Sequence, residues 1–281
     1  MRPALIAGVN ALGFQAADSN VASNVNALGS QAAYWNTQWG LNALGRLSAA
    51  KNEGWSVNAM GESAGEFNTG PYLNGLGYQV ARYNTGESVN AMGIFAAYGN
   101  TAYSVNAFGV YAATSNWGPN TNAFGPSAAQ NNQGANVNAI GQSAAANNYG
   151  SHVNAMGYEA AYYNNGNDAV AIGQQALRGN GTIPEGDGNI GIGFQAGMNI
   201  GAGSNNIAIG YDTQLPDGFE SNQINIGNNI IRDADGVIQL KDLIQLTPTS
   251  APASPVAGMI YFDSGDNTLY CFDGTDWQAL W

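Results

Sequence analysis

The sequence predicts an all-β chain: a parallel β-solenoid or β-roll of sixteen-residue coils, followed by a small β-hairpin module at the C-terminal end. Three observations carry that expectation. A glycine recurs without slippage every sixteen residues, from Gly13 through Gly29 and Gly45 to Gly173. An alternating segment precedes each one, as in Val25-Asn26-Ala27-Leu28. Sixteen residues are also too few for the helix pair of the longer helical repeats.

Along one coil the pattern is V-N-A-(L/M/F/I)-G-x-x-A-A-x-x-N. In the strand, alternation sends Val25 and Ala27 to one side and Asn26 and Leu28 to the other, and Gly29 ends it. Neither side is wholly polar, so the strand is expected to be covered on both faces, once by the coil interior and once by a second partner. The alanine pair, as in Ala32-Ala33 or Ala112-Ala113, supplies small side chains where another backbone comes close. Asn and Gly, which tolerate positive φ, close the turn, and the Asn seven places after the glycine recurs from Asn20 to Asn180. A coil is thus read as two short strands and two turns. Stacking pairs strand with strand at roughly 4.8 Å, so the coils make a rod on the order of 50 Å long. The same stacking aligns Asn26, Asn42, Asn58 and Asn74 as a structural amide ladder.

Composition narrows the function. The chain has 281 residues, 44% of them hydrophobic, enough for a core, yet only 9% are charged, against roughly 25% in an ordinary soluble domain. Net charge is −12, with twelve acidic residues from Glu185 onward, so the basic patch that a nucleic acid requires is missing. No apolar run reaches membrane-spanning length, and "MRPALIAGVNALG" lacks a signal-peptide core, so neither membrane insertion nor export is expected. The first coil begins almost at Met1, and no separate N-terminal attachment domain is expected ahead of it. A lone Cys271 supports no intrachain disulfide framework. His152 occupies a variable turn position without a Ser/His/Asp set, a metal cluster or a P-loop, so the chain is read as non-enzymatic and free of cofactors and metals.

Two acidic segments have structural readings. Asp233 and Asp235 in "RDADG" suit a hairpin turn ahead of the strand Val237–Leu240. "EGDGN" at 185–189 stretches the glycine spacing to twenty between Gly173 and Gly193 and reads as an extruded loop, with a calcium site as the lesser option.

Trp35, Trp39, Trp55, Tyr72, Tyr103, Trp117 and Tyr149 lie in the turn half of the coils, where the repeat demands no aromatic. Phe67, Tyr83, Tyr98, Tyr162 and Tyr163 share that half. Aromatic rings beside Asn and Gln amides suit sugar faces and hydroxyls, so the first seven are the candidate contacts with a host cell-surface glycan or protein. Packing at the edges of the roll or between chains is the competing reading.

The later coils, "NIGIGFQAG" around Gly193, "NNIAIGYDT" around Gly210 and "NQINIGNN" around Gly227, resemble the head repeats of YadA-type trimeric autotransporter adhesins. That resemblance spans roughly residues 5–230 and implies a left-handed parallel β-roll packed as a homotrimer, with a neighbouring chain covering the outer strand face. That family also carries a signal peptide, a coiled-coil stalk and a membrane anchor, for which no counterpart is expected here. The tail "GMIYFDSGDNTLYCFDGTDWQALW", following Pro252 and Pro255, is similar to the foldon trimerisation module of bacteriophage fibritin, which implies trimer contacts at Tyr261, Trp277 and Leu280. The expected divisions are sixteen-residue coils over 1–180 and adhesin-like coils over 181–230. A hairpin neck and the Pro-rich linker "LTPTSAPASPV" fill 231–256, ahead of the trimerisation module at 257–281. Together these resemblances imply a phage tail or head fibre on the virion surface, assembled in the host cytoplasm and attached to other virion proteins. The head of a bacterial trimeric surface adhesin is the alternative.

Overall fold

A computed structural model describes residues 8–181, 185–241, 246 and 249–280. The start of the first coil and part of the Pro-rich linker lie outside them. The chain divides into two units, Met1–Gln239 and Leu240–Trp281.

The first unit is a parallel β-solenoid. One strand per coil, from β1 (Val9–Leu12) and β2 (Val25–Leu28) to β14 (Ile224–Ile226), pairs in parallel with its neighbour. Register is kept residue for residue, Val25 opposite Leu41 and Asn26 opposite Asn42. It survives the stretched coil as well: β11 (Val170–Ile172) aligns with β12 (Ile190–Ile192), twenty residues away. The reading of "EGDGN" at 185–189 as an extruded loop is corrected, because the segment is held in the stack: Gly188 N–H donates to Asn167 O (2.9 Å) in the coil before and Gly186 N–H to Gly201 O (3.0 Å) in the coil after. The turn read at "RDADG" is present. β15 (Ile230–Arg232) pairs antiparallel with β14, Gly236 N–H donates to the Asp233 carbonyl at 3.2 Å, and β16 (Ile238–Leu240) follows.

The reading of two strands per coil is corrected. After each motif glycine the backbone follows a ribbon of linked turns in which every second residue has positive φ: Phe95 at 57°, Ala97 at 52° and Gly99 at 62°. Phe95 N–H donates to Tyr78 O (3.0 Å) in the coil before, Ala97 N–H to Ala112 O (2.8 Å) in the coil after, and Gly99 N–H to Arg82 O (2.9 Å). The residues between them close four-residue turns, as Tyr98 N–H does on Phe95 O at 3.2 Å. Each left-handed residue costs about 1–2 kcal/mol, and the inter-coil hydrogen bonds offset it. The described positive-φ residues include no Val, Ile or Thr, the side chains whose branched Cβ tolerates this region least.

The interior is narrow. Val25, Ala27, Ala32 and Ala33 and their equivalents are fully or almost fully buried, so each coil is filled by one branched residue and several alanines. Departures from that recipe compensate one another. Val80 replaces an alanine, and the neighbouring strand carries Gly75 where alanine is usual; a Cβ at Gly75 would sit 3.1 Å from Val80 Cγ1. Leu177 likewise replaces an alanine, and Gly191 and Gly197 make room for it. The motif glycine has its own reason: a Cβ on Gly93, at φ +134°, would lie 2.5 Å from the Gly109 carbonyl oxygen.

The strand is buried on one face only within the chain. Val25 and Ala27 point inward, while Asn26 and Leu28 are exposed, and the pattern repeats through β3 (Leu41–Leu44) and β4 (Val57–Met60).

The second unit is a three-stranded antiparallel sheet of β17 (Ile260–Phe262), β18 (Leu269–Phe272) and β19 (Trp277–Ala279), rather than a single hairpin. Its aromatics pack on one another. Tyr261 is 8% exposed and contacts Tyr270 and Trp277 at ring separations of 5.4 and 4.6 Å. Burial and the Asp263 carboxylate that its hydroxyl meets push the Tyr261 phenol up to about 12. Of the three trimer candidates, Tyr261 is spent inside its own sheet, Trp277 is half-buried, and Leu280 is exposed.

Candidate binding surface

Two long columns of asparagine organise the solenoid surface and interior. The outer one, on the sheet, runs from Asn10 to Asn154, each side-chain amide donating to the next coil's Asn Oδ1, for example Asn42 to Asn58 at 2.7 Å and Asn90 to Asn106 at 3.0 Å. The inner one, Asn20 to Asn164, is the Asn that the sequence reading assigned to the turn alone. It donates in the opposite direction, Asn84 to Asn68 and Asn100 to Asn84, both at 2.8 Å. Its orientation is set by a second bond, since the Asn84 amide also donates to Gly86 O at 2.8 Å while Oδ1 receives the Gly86 N–H. From Asn36 to Asn164 these residues are buried, so the ladder satisfies polar groups that water does not reach.

Beside the outer ladder runs an apolar stripe. Leu28, Leu44, Met60, Leu76, Met92, Phe124, Ile140 and Met156 are each 41–47% exposed, one per coil. Phe108 and Phe124 stack at 5.1 Å within the stripe. Shallow grooves lie between the ladder and the stripe, lined by Asn26, Leu28, Leu44 and Met60 at one end and by Leu76, Met92 and Phe108 further along.

The seven candidate aromatics fall into separate places. Trp39, Trp55 and Tyr72 form one run, with ring centroids 5.5 and 4.2 Å apart. Trp35 packs on Tyr34 at 5.9 Å. Tyr103 stands in the column of Trp39 and Trp55 but three coils beyond Trp55, Trp117 and Tyr149 stand in a different column, and all three are exposed outside that run. A second cluster forms around Phe95, which meets Tyr78 at 5.5 Å, Tyr98 at 5.8 Å and Tyr111 at 5.1 Å. It continues through Tyr83 to Phe67, with Arg82 4.8 Å above Tyr83 and paired with buried Glu66 at 2.9 Å. Tyr78, Phe95 and Tyr111 stand one or two places after the motif glycine, outside the turn half that holds the seven candidates. Their recurrence at neighbouring coils was the available signal.

Titratable chemistry is sparse. His152, in its turn, pairs with Asp168 at 3.2 Å, and both side chains are well exposed. Glu185, on the stretched coil, is the exception: its carboxylate accepts the Asn165 N–H at 2.6 Å, and burial pushes its pKa up to about 7. Among the described residues no three His, Cys, Asp or Glu side chains converge as a metal site. Nor is any helix there long and apolar enough to cross a membrane.

No protein-family model, curated protein or solved structure matches the chain.

Proposed function

We propose that the chain is a non-enzymatic structural fibre subunit of a bacteriophage virion, a left-handed β-roll whose homotrimer stands on the virion surface as a tail or head fibre. It is joined to other virion proteins and contributes to attachment at the host surface. The observation that carries this reading is the outer face of the sheet. A stripe of Leu, Met, Phe and Ile, one per coil and nearly half exposed along the rod, is more contiguous apolar surface than a solitary soluble chain ordinarily shows. The hydrogen-bonded Asn ladder beside it satisfies its own amides, so covering that face by a neighbouring chain strands few polar groups. The second reading, the head of a bacterial trimeric surface adhesin, is favoured by the coils around Gly193 and Gly210, and uses the same trimer. Virion genes flanking the coding sequence separate the first reading from the second.

Native mass by light scattering tests the shared premise. A mass of three chains is expected, and a stable folded monomer overturns both readings.

A further inference from the structure

Resting on the attachment reading, we propose that one corner of the middle coils binds a neutral, extended, equatorially linked polysaccharide, with Trp117 and Tyr149 as its two stacking rings. Charge is the first observation. From Ser88 to Tyr158 the chain has no Asp, Glu, Lys or Arg, whereas Arg46, Lys51, Glu53, Arg82 and Glu87 precede that stretch and Glu159 ends it. Such a surface offers no counter-charge to a carboxylated or sulfated sugar, and covering it with a neutral one removes no ion from water.

Placement is the second. Both rings stand in the column eight places after the motif glycine. Their chain neighbours Asn116, Gly118, Asn148 and Gly150 are buried, which turns the rings outward, 63% and 54% exposed. Gln133 occupies the same column in the coil between, so the rings are two strand spacings apart, roughly 9.6 Å. An extended equatorially linked glycan offers the same ring face at every second sugar, at a comparable interval, and the Gln133 amide lies where the intervening hydroxyls pass. Trp39 and Trp55, by contrast, are one coil apart and stack on each other, so their facing surfaces are already used. The column neighbours of Trp117 and Tyr149 are Thr101, Gln133 and Asn165, which are not aromatic.

Rigidity is the third. Thr121, buried where most coils have Val, donates its hydroxyl to the Gly118 carbonyl at 2.7 Å and receives the Asn132 amide at 3.2 Å. Asn148 holds the Gly150 carbonyl at 2.7 Å. Both corners are therefore ordered before a ligand arrives, which lowers the entropy cost of binding.

Calorimetric titration of the full chain with β-1,4-linked gluco-, xylo- and manno-hexaose, and with a β-1,4-linked glucuronic acid hexamer, tests the proposal. At least one neutral hexamer is expected to bind more tightly than the charged one. Trp117→Ala should weaken that binding by on the order of tenfold, while Thr85→Ala, in the same column but outside the pair, leaves it unchanged. The double variant Q133Y/Y149Q keeps two rings and halves their separation, and it should lose affinity by a similar factor. Preference for the charged hexamer, failure of every neutral one, or full affinity in the double variant overturns the proposal. Light scattering on the same samples separates the two levels. A trimer without neutral-glycan binding refutes this site and leaves the fibre reading intact, whereas a monomer refutes the fibre reading.

Discussion

At the residue scale, the two asparagine columns look alike in the sequence and differ in consequence. Asn84 donates to Asn68 and Gly86 and receives Asn100, all inside the solenoid. Asn84→Ala leaves buried partners unmatched and is expected to cost about 3 kcal/mol. Asn90 makes only one ladder bond on each side and no bond to the backbone, so Asn90→Ala removes fewer bonds and should cost about 1 kcal/mol. Denaturant unfolding of the two variants checks the contrast. Equal losses would mean that the inner column is not the more strongly enforced one.

At the element scale, the coil is a strand joined to a turn ribbon, and its thin interior couples residues on the two. Gly75→Ala restores the common strand residue yet brings a methyl to 3.1 Å from Val80 Cγ1, so it should destabilise by about 1–2 kcal/mol. In a Val80→Ala background the same change should cost little, and a double-mutant cycle measures that coupling. The stretched coil has a different sensitivity. Glu185 holds its proton to about pH 7 in the fold, because burial disfavours the charged form, and releases it nearer the ordinary glutamate value of 4.5 when unfolded. The native state therefore binds the extra proton, and stability falls as pH rises between those two values. Glu185→Gln should melt a few degrees above the parent at pH 8 and with it at pH 4, which melting curves across that range will show.

At the scale of the whole molecule, the exposed sheet face decides how the chain lives. A single charge there, Met92→Glu, faces solvent in the isolated chain and is buried without a partner when chains pack through the sheet. It is expected to convert trimer to folded monomer, seen as a threefold drop in light-scattering mass with the circular dichroism unchanged. Removing 257–281 should slow or prevent assembly by taking away the second unit's contacts. Efficient trimer recovery without that segment would relieve the C-terminal sheet of its assembly role.

Much of this was legible in the chain itself. A sixteen-residue period with no slippage admits only stacked coils, because any shift in register would turn Val25 and Ala27 out and Asn26 and Leu28 in. The strand and the outer ladder follow from that period, whereas the segment 185–189, which breaks the spacing, still stacks between its neighbouring coils. The tertiary structure alone decided that the rest of the coil is a left-handed turn ribbon, since Gln, Ala and Ser at its positive-φ positions carry no local signal for that conformation. It also decided that the Asn after the alanine pair is buried, and that Trp39, Trp55 and Tyr72 meet while Trp117 and Tyr149 stay apart. Those outcomes depend on which side of a closed coil each residue faces. Coil closure is set by hydrogen bonds to the coils before and after, not by any one coil's sequence.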